Sequence, residues 1–356
     1  MLRSDLLWLA PGYYILDATE GVALRRVDGH TVYVRSSLPR DVLRELLHAL
    51  DGTRSIPELA AQYEVTAEII GRTVEELYRV GVLTNGVPPT PLAMFLTHVL
   101  RSSADKAYEA ITNGQVTVVG GSVLGHELVR VLALDGVGRI RWIDVDSQGA
   151  SASEAFEEGE RCAKIEILRG DTSVLEALLE QGSAQELLVA AHEDPQTLVD
   201  ESVNRFAVSR GLRCLRLDIS GADIILGPTV LPGQTACWAC LRERRLGHVA
   251  DPAVLQAFEQ YLMETPRRHP FGYSWSLLVL AAGLAASEVL RLLIEPFCER
   301  PVLLPQTYGT QIVLSPLRGE WQSHHVLRLP RCRVCGHARL EDSRKAPWAA
   351  IDVIAP

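Results

Sequence analysis

The 356-residue chain carries 44 acidic and 35 basic side chains, which gives a formal net charge of −9. With 47% hydrophobic residues and no basic block, the composition is typical of a globular protein and argues against nucleic acid as a partner. The N-terminus lacks a signal-peptide pattern, and the most apolar run, residues 277–286, is too short to span a bilayer. We therefore expect a cytoplasmic protein without a membrane segment.

Short strands and turns fill the first 35 residues. Strand-like segments at 13–16, 22–27 and 31–35, with Asp28-Gly29 between the last two, predict a hairpin. Helical periodicity then predicts three helices. Their ends are marked by Gly52, Tyr63 and Gly81.

A small sheet followed by three helices predicts a winged-helix domain over residues 1–86. The third predicted helix, residues 67–80, carries more acidic residues than arginines. A DNA phosphate backbone is therefore a poor partner for it. Residues 87–110, which begin in a proline-rich stretch, are assigned to a linker and a helix.

A βαβ unit follows the linker. It comprises strand 115–119, glycine-rich turn 120–125, helix 124–134 and strand 140–143. The second strand ends at Asp144, about 20 residues beyond the turn, as in dinucleotide-binding folds. Further alternation of strand and helix predicts a Rossmann-like parallel α/β domain over residues 111–356.

The glycine-rich turn departs from the G-x-G-x-x-G pattern. Gly120 and Gly125 are present, but Ser122 stands where the middle glycine lets a pyrophosphate approach the backbone. In one interpretation the turn is a mononucleotide site, with Asp144 on a ribose and helix amides on an anion. In the other, the two glycines serve packing alone.

Two Cys-x-x-Cys pairs, Cys237/Cys240 and Cys332/Cys335, can place four thiolates on one tetrahedral ion. They predict one structural zinc with no coordination position left for substrate. The alternatives are disulfides or unrelated thiols. The other three cysteines are scattered, which favours a reducing cytosol.

The α/β part resembles a known family. The resemblance is carried by the strand, the glycine-rich turn, the helix, Gly136-Val-Gly and Asp144-Val-Asp, followed by the two cysteine pairs. Over residues 111–340 these features resemble the ThiF/MoeB and ubiquitin-activating superfamily. Members adenylate a carboxyl terminus with ATP, and the resemblance implies Lys164 as the family lysine.

Two parts of that family's pattern differ in this chain. The Ser-Asn-Leu-x-Arg-Gln stretch is replaced by Ser-Gln-Gly-Ala-Ser-Ala-Ser at 147–153, and the catalytic aspartate falls near His192-Glu-Asp194. With the middle glycine and the Arg-Gln pair both missing, we expect weak ATP binding and no adenylation by this chain.

The N-terminal part resembles a second module. The resemblance is carried by three segments, Leu50-Asp-Gly-Thr-Arg-Ser-Ile-Pro-Glu-Leu59, Tyr63-Glu-Val65 and Val80-Gly-Val-Leu83. Together they are similar to a PqqD-type RiPP recognition element. Fused to a ThiF-like domain, it resembles the ocin-ThiF-like partner proteins of azoline-forming (TOMM and thiopeptide) cyclodehydratases. The resemblance implies a chain that is not catalytic alone and presents a precursor's leader peptide to a YcaO cyclodehydratase, where ATP is used.

Leader binding would occur by addition of a strand to the edge at residues 31–35. The predicted peptide-binding residues are Thr31, Val32, Tyr33, Val34 and Arg35 on this edge and Ile69, Arg72, Thr73, Glu76 and Leu77 on the third helix. Core packing is the alternative for Ile69 and Leu77, whereas Arg35 and Arg72 could meet acidic leader residues.

Two further alternatives stay open. The runner-up function is an active ATP-dependent activating enzyme that uses Gly120, Asp144 and Lys164. A homodimer through the apolar helix predicted at 274–295 is also left open.

Overall fold

The computed structural model describes residues 6–10, 12–85, 90–100, 105–121, 123–145, 164–193, 196–264, 272–297 and 303–336. The chain divides into two compact units. The first comprises Met1–Ala110 together with Ile294–Leu303. The second comprises Ile111–Leu293 together with Leu304–Pro356.

Two three-stranded antiparallel sheets and a set of helices form the first unit. The strands are β1 (Leu6–Leu9), β2 (Tyr14–Asp17), β3 (Val22–Arg25), β4 (Thr31–Val34), β5 (Asp51–Ser55) and β6 (Leu83–Asn85). The helices are α1 (Arg40–His48), α2 (Ile56–Gln62), α3 (Ala67–Arg79), α4 (Pro91–Leu100) and α5 (Asp105–Thr112), which crosses the boundary between the units. One sheet has the order β5-β1-β6 and the other the order β2-β3-β4.

The predicted hairpin and the three predicted helices are confirmed, with one correction at Gly52. Helix α1 ends at His48, and Gly52 lies in β5, which pairs with β1. Gly52 has φ +74°, and a Cβ atom there would overlap the ring of Trp8. Gly52 is therefore required by close packing between strands rather than by a helix end.

The second unit is built on an eight-stranded mixed sheet of order β14-β13-β12-β11-β10-β7-β8-β9. Its strands are β7 (Gln115–Val119), β8 (Arg139–Val145), β9 (Lys164–Gly170), β10 (Leu187–His192), β11 (Cys214–Ser220), β12 (Asp223–Leu226), β13 (Thr310–Ser315) and β14 (Glu320–His325). Strands β9, β8, β7, β10 and β11 are parallel, and the last three are antiparallel.

Helices connect these strands in the manner of an open α/β sheet. They are α6 (Val123–Leu134), α7 (Leu175–Glu180), α8 (Thr197–Arg210), α9 (Trp238–Leu246), α10 (Pro252–Glu264) and α11 (Trp275–Ile294). The predicted parallel α/β domain is confirmed. The chain proceeds from β7 to β8 on one side and returns to β10 on the other, which creates a crevice at the carboxyl ends of β7 and β10.

Helix α11 agrees with the apolar helix predicted at residues 274–295. It has 20 residues, and the stretch Trp275–Phe297 is long and apolar enough to span a membrane by length and composition. Of its most apolar window, 61% is buried inside the protein, as expected of a core helix. Val279 and Leu280 are exposed on its surface, and a homodimer through this helix stays a prediction.

Candidate functional site

The four predicted zinc ligands meet in one buried cluster. The Sγ atoms of Cys237 and Cys240 are 3.9 Å apart, those of Cys237 and Cys332 3.6 Å, and those of Cys240 and Cys335 3.4 Å. A tetrahedron with Zn–S bonds of about 2.3 Å has edges of about 3.8 Å, so these separations suit one ion. All four are free cysteines in this structure, and their mutual approach favours one shared ion over two disulfides.

Backbone and arginine contacts hold the two cysteine knuckles together. Cys237 caps α9 at its N-terminus, and Leu329 N–H donates to the Cys240 sulfur at 3.4 Å. Arg328 donates to the carbonyl of Gly233 before the first pair and to that of Cys335 in the second. The donor set fits a closed Cys₄ site, which would hold a structural ion and offer substrate no open position.

The glycine-rich turn is closely packed on every side. A Cβ atom at Gly120 would overlap the carbonyl of Ala191, and one at Gly125 would lie 2.7 Å from the carbonyl of Gly120. Trp142 also donates its ring N–H to that Gly120 carbonyl at 2.7 Å. Close packing alone is therefore sufficient to explain why glycine is present at positions 120 and 125. Ser122 lies outside the described residues.

An internal carboxylate occupies the position at which nucleotide-binding folds hold a phosphate. Glu193, directly after β10, accepts hydrogen bonds from the backbone N–H groups of Val123 (3.1 Å) and Leu124 (3.2 Å) at the start of α6. Free amides at a helix N-terminus are the usual anion site in this kind of crevice. Here they are already satisfied by an anion from the chain itself.

The predicted nucleotide residues do not all come together. Asp144 is buried at the carboxyl end of β8, and Arg169 Nε of β9 lies 3.8 Å from its Oδ2 atom. Lys164 pairs with Arg139 at the start of both strands, whereas Arg169 pairs with Asp144. A strand rises about 3.3 Å per residue, so Lys164 lies about 16 Å along β9 from Arg169, the residue opposite Asp144. Lys164 is therefore not close to the other predicted nucleotide residues. Residues 147–153 and Asp194 lie outside the described residues.

A buried charge cluster that the sequence analysis missed lies beside the crevice. Arg216 on β11 forms ion pairs with Asp200 on α8 (2.9 Å) and Asp218 on β11 (2.6 Å), and His192 Nε2 is 3.4 Å from Asp200. Burial alone would raise the pKa of Asp200, but Arg216 and His192 overcome this and hold it below its ordinary value. Burial, with Asp200 nearby, raises the pKa of Asp218 despite Arg216.

The hydrogen-bond register shows which backbone groups of β4 are used inside the sheet. At the hairpin end Arg26 N–H donates to the carbonyl of His30 at 2.9 Å. Opposite residues in an antiparallel pair alternate between bonded and non-bonded. Counting from this pair, Val32 and Val34 exchange hydrogen bonds with β3.

The intervening residues therefore direct their backbone groups outward. Thr31 and Tyr33 turn their N–H and C=O groups away from β3, and Arg35, directly after the last paired residue of β4, is the next position in this alternation. In the described part of the chain β4 pairs with β3 alone. The predicted edge strand is confirmed as an edge. The Tyr33 side chain is 67% exposed, whereas that of Val34 is buried in the core and Val32 is half-buried.

Side chains on α3 divide between core and surface. Leu77 is buried, so its side chain cannot contact a ligand, and its alternative assignment to the core is the correct one. Ile69 and Thr73 are half-buried, and Arg72 and Glu76 are exposed. Val34 and Leu77 belong to the same hydrophobic core, so β4 and α3 pack into one folded unit.

The two predicted specificity arginines already have weak partners. Arg72 Nη2 lies 2.7 Å from Glu68 one turn earlier, and Arg35 Nη2 lies 3.4 Å from Glu20. All four side chains are at least 74% exposed. Such surface pairs contribute about 0–1 kcal/mol, so a ligand carboxylate can replace either acid at low cost.

Solved structures with a similar fold cover most of the chain. A heterocyclase in complex with substrate and cofactor is 20% identical, with a TM-score of 0.64, over 94% of this chain and 40% of that chain. The heterocyclase TruD is 20% identical, with a TM-score of 0.62, over 94% of this chain and 43% of that one. E. coli MccB with ATP is 15% identical, with a TM-score of 0.56, over 93% and 99%.

The likeness shows the fold. The second unit has the mixed α/β architecture consistent with a ThiF/MoeB-type domain, and the chain spans about two fifths of the heterocyclases but almost all of MccB. No protein-family model matches the chain, and a search of the curated proteins finds no match.

Proposed function

We propose that this chain is a leader-peptide-binding partner protein that presents a ribosomal precursor to a YcaO cyclodehydratase for thiazoline or oxazoline formation. The first unit acts as the recognition element and the second as a zinc-stapled, ThiF-like scaffold. The proposal places the protein in the cytoplasm, where the free thiols of the metal site stay reduced. ATP is consumed by the partner enzyme.

The open edge of β4 carries this proposal. The outward N–H and C=O groups of Tyr33 can pair with an extended peptide, and those of Thr31 and Arg35 extend the same ladder. Exposed and half-buried side chains on α3 offer polar and apolar contacts in the same unit. The fold shared with two heterocyclases supports this role.

Adenylation by this chain is the second candidate, and the likeness to MccB over nearly its whole length favours it. Against it stands Glu193, whose carboxylate already satisfies the amides of Val123 and Leu124. A phosphate at this helix N-terminus would have to displace a bound carboxylate and sit next to its charge. Pyrophosphate exchange with ATP and the precursor separates the two functions, and we expect none from the isolated chain.

Tyr33→Pro tests leader binding by removing one outward N–H from β4. Loss of one ladder hydrogen bond and the clash of the proline ring should weaken binding about tenfold or more. The control is Asp17→Pro, because Asp17 also directs its N–H outward, but from β2 at the opposite edge of the same sheet. The ligand is the labelled leader peptide of a candidate precursor, and its binding is followed by fluorescence polarisation.

Equal weakening by both substitutions would mean that the peptide does not add to β4. Unchanged binding by Tyr33→Pro, in a protein with native circular dichroism, would have the same meaning. Tyr33→Ala keeps the N–H and separates the contribution of the ring from that of the backbone.

A further inference from the structure

A large cavity opens in the second unit beside the buried charge cluster. Its volume is about 1030 Å³, at the upper end of the range for small-molecule pockets. It is bounded by the carboxyl end of β11, by α8, α9 and α10, and by the second cysteine knuckle. The peptide edge at β4 belongs to the other unit.

The acidic side chains that line the cavity are already engaged by the protein. Arg216 pairs with Asp200 and Asp218, and Arg242 lies 2.6 Å from Glu259. The remaining lining acids are Glu193, which caps α6, and Glu201 and Glu243, which are within 4.0 Å of Arg242.

Three arginines of the lining are left over. They are Arg245, near the end of α9, and Arg331 and Arg333, on either side of Cys332. All three are exposed, and within the described residues none of them has an ion pair or a side-chain hydrogen bond. The lining as a whole has six arginines and six acids and is formally neutral, so these three arginines are a local group of unpaired cationic donors and not a net positive cavity. Such donors form charge-assisted hydrogen bonds with ligand carboxylates.

The walls of the cavity define the rest of the ligand. Phe258 and Leu262 on α10, with Leu255, provide an apolar side, and Phe258 is 46% exposed. The residues Asp200 and Asp218 also belong to the lining. Two buried carboxylates on this side of the cavity disfavour a ligand that would place a phosphate against them.

We propose that this cavity binds an acidic peptide segment, with its carboxylates on Arg245, Arg331 and Arg333 and its apolar side chains on α10. A peptide supplies carboxylates and apolar groups together, whereas a nucleotide would place phosphates against buried carboxylates. The inference rests on the proposed function in one respect, that the segment belongs to the same precursor. The cavity itself is tested without the precursor.

The probe is a labelled decapeptide of alternating Glu and Leu or Phe, measured by fluorescence polarisation on the full chain with its metal content verified. The Arg245→Gln/Arg333→Gln double variant should bind it at least tenfold more weakly, and so should wild type with a Gln-for-Glu peptide. The matched control is Arg139→Gln, because Arg139 is an exposed arginine at the amino end of β8, away from the cavity. It should bind as wild type does.

Equal affinity for wild type and the double variant would overturn the inference, and displacement of the probe by stoichiometric ATP would identify a nucleotide site instead. Tyr33→Pro separates this inference from the proposed function. If the variant binds the probe normally, the cavity is an independent site whether or not leader binding is lost. If the variant loses the probe, the probe sits on β4 and the cavity inference fails.

Discussion

Replacing Glu193 by alanine tests whether this side chain closes the anion site of the α/β domain. The carboxylate accepts two backbone N–H bonds at the start of α6 and faces the positive end of that helix. Loss of such a cap costs about 0.5–2 kcal/mol. In a unit of this size, 1 kcal/mol lowers the melting temperature by about 2–4 °C, so we expect a fall of about 1–8 °C.

The same substitution should open the site to external anions. Pyrophosphate should stabilise Glu193→Ala and leave wild type unchanged at matched ionic strength. If its dissociation constant is about 1 mM, 10 mM pyrophosphate restores about 1.4 kcal/mol. Differential scanning calorimetry provides the measurement, and Glu193→Gln, which keeps one acceptor but no charge, is the control.

A wild-type protein that pyrophosphate stabilises as much as the variant would refute the reasoning. It would mean that the helix amides are available to phosphate despite Glu193, and the adenylating function would become the better account. A gain confined to the variant would show that this chain has replaced a ligand anion by one of its own.

Two further predictions concern the second unit. Cys335→Ser should lose the bound zinc and much of the native near-UV circular dichroism, because structural zinc in small domains contributes about 10–16 kcal/mol. The control is Cys214→Ala, which removes a buried cysteine outside the cluster and should keep one zinc per chain. Metal-free wild type with a native spectrum would contradict this prediction. Burial raises the pKa of Glu288, so the folded state holds this proton more tightly than the unfolded state does. The wild-type protein should therefore lose stability as the pH rises above about 4.5 and through the folded pKa. Glu288→Gln cannot titrate at this position and should not show this loss. Urea unfolding from pH 4.5 to 7.5 decides the second, and parallel pH profiles would contradict it.

Sequence patterns predict those elements whose signal is local. The hairpin, the three helices of the first unit and the βαβ unit follow from periodicity and turn residues, and the cysteine cluster follows from spacing. Strands β1, β5 and β6 are short and depend on partners far along the chain, so their pairing leaves little local pattern. Gly52 looked like a helix end because its contact with Trp8 is invisible in the sequence.

The candidate site shows the same limit. Glu193 and Val123 are 70 residues apart in the chain, and only the parallel order of β7 and β10 brings them together. Lys164 was assigned from the family resemblance, but the register puts it at the start of β9 opposite Arg139, whereas Arg169 near the other end of β9 is the residue opposite Asp144. The His192-Glu motif was noticed for another reason, and the capping role of its glutamate could be found only in three dimensions.

Hydrogen–deuterium exchange along β4, resolved by NMR, tests the central claim most directly. In the free protein the N–H groups of Val32 and Val34 are bonded to β3 and should exchange slowly, whereas those of Tyr33 and Arg35 face the open edge and should exchange fast. On addition of the leader peptide, Tyr33 and Arg35 should become protected and Val32 and Val34 should change little. Leader binding that leaves the Tyr33 and Arg35 amides in fast exchange would contradict strand addition at β4.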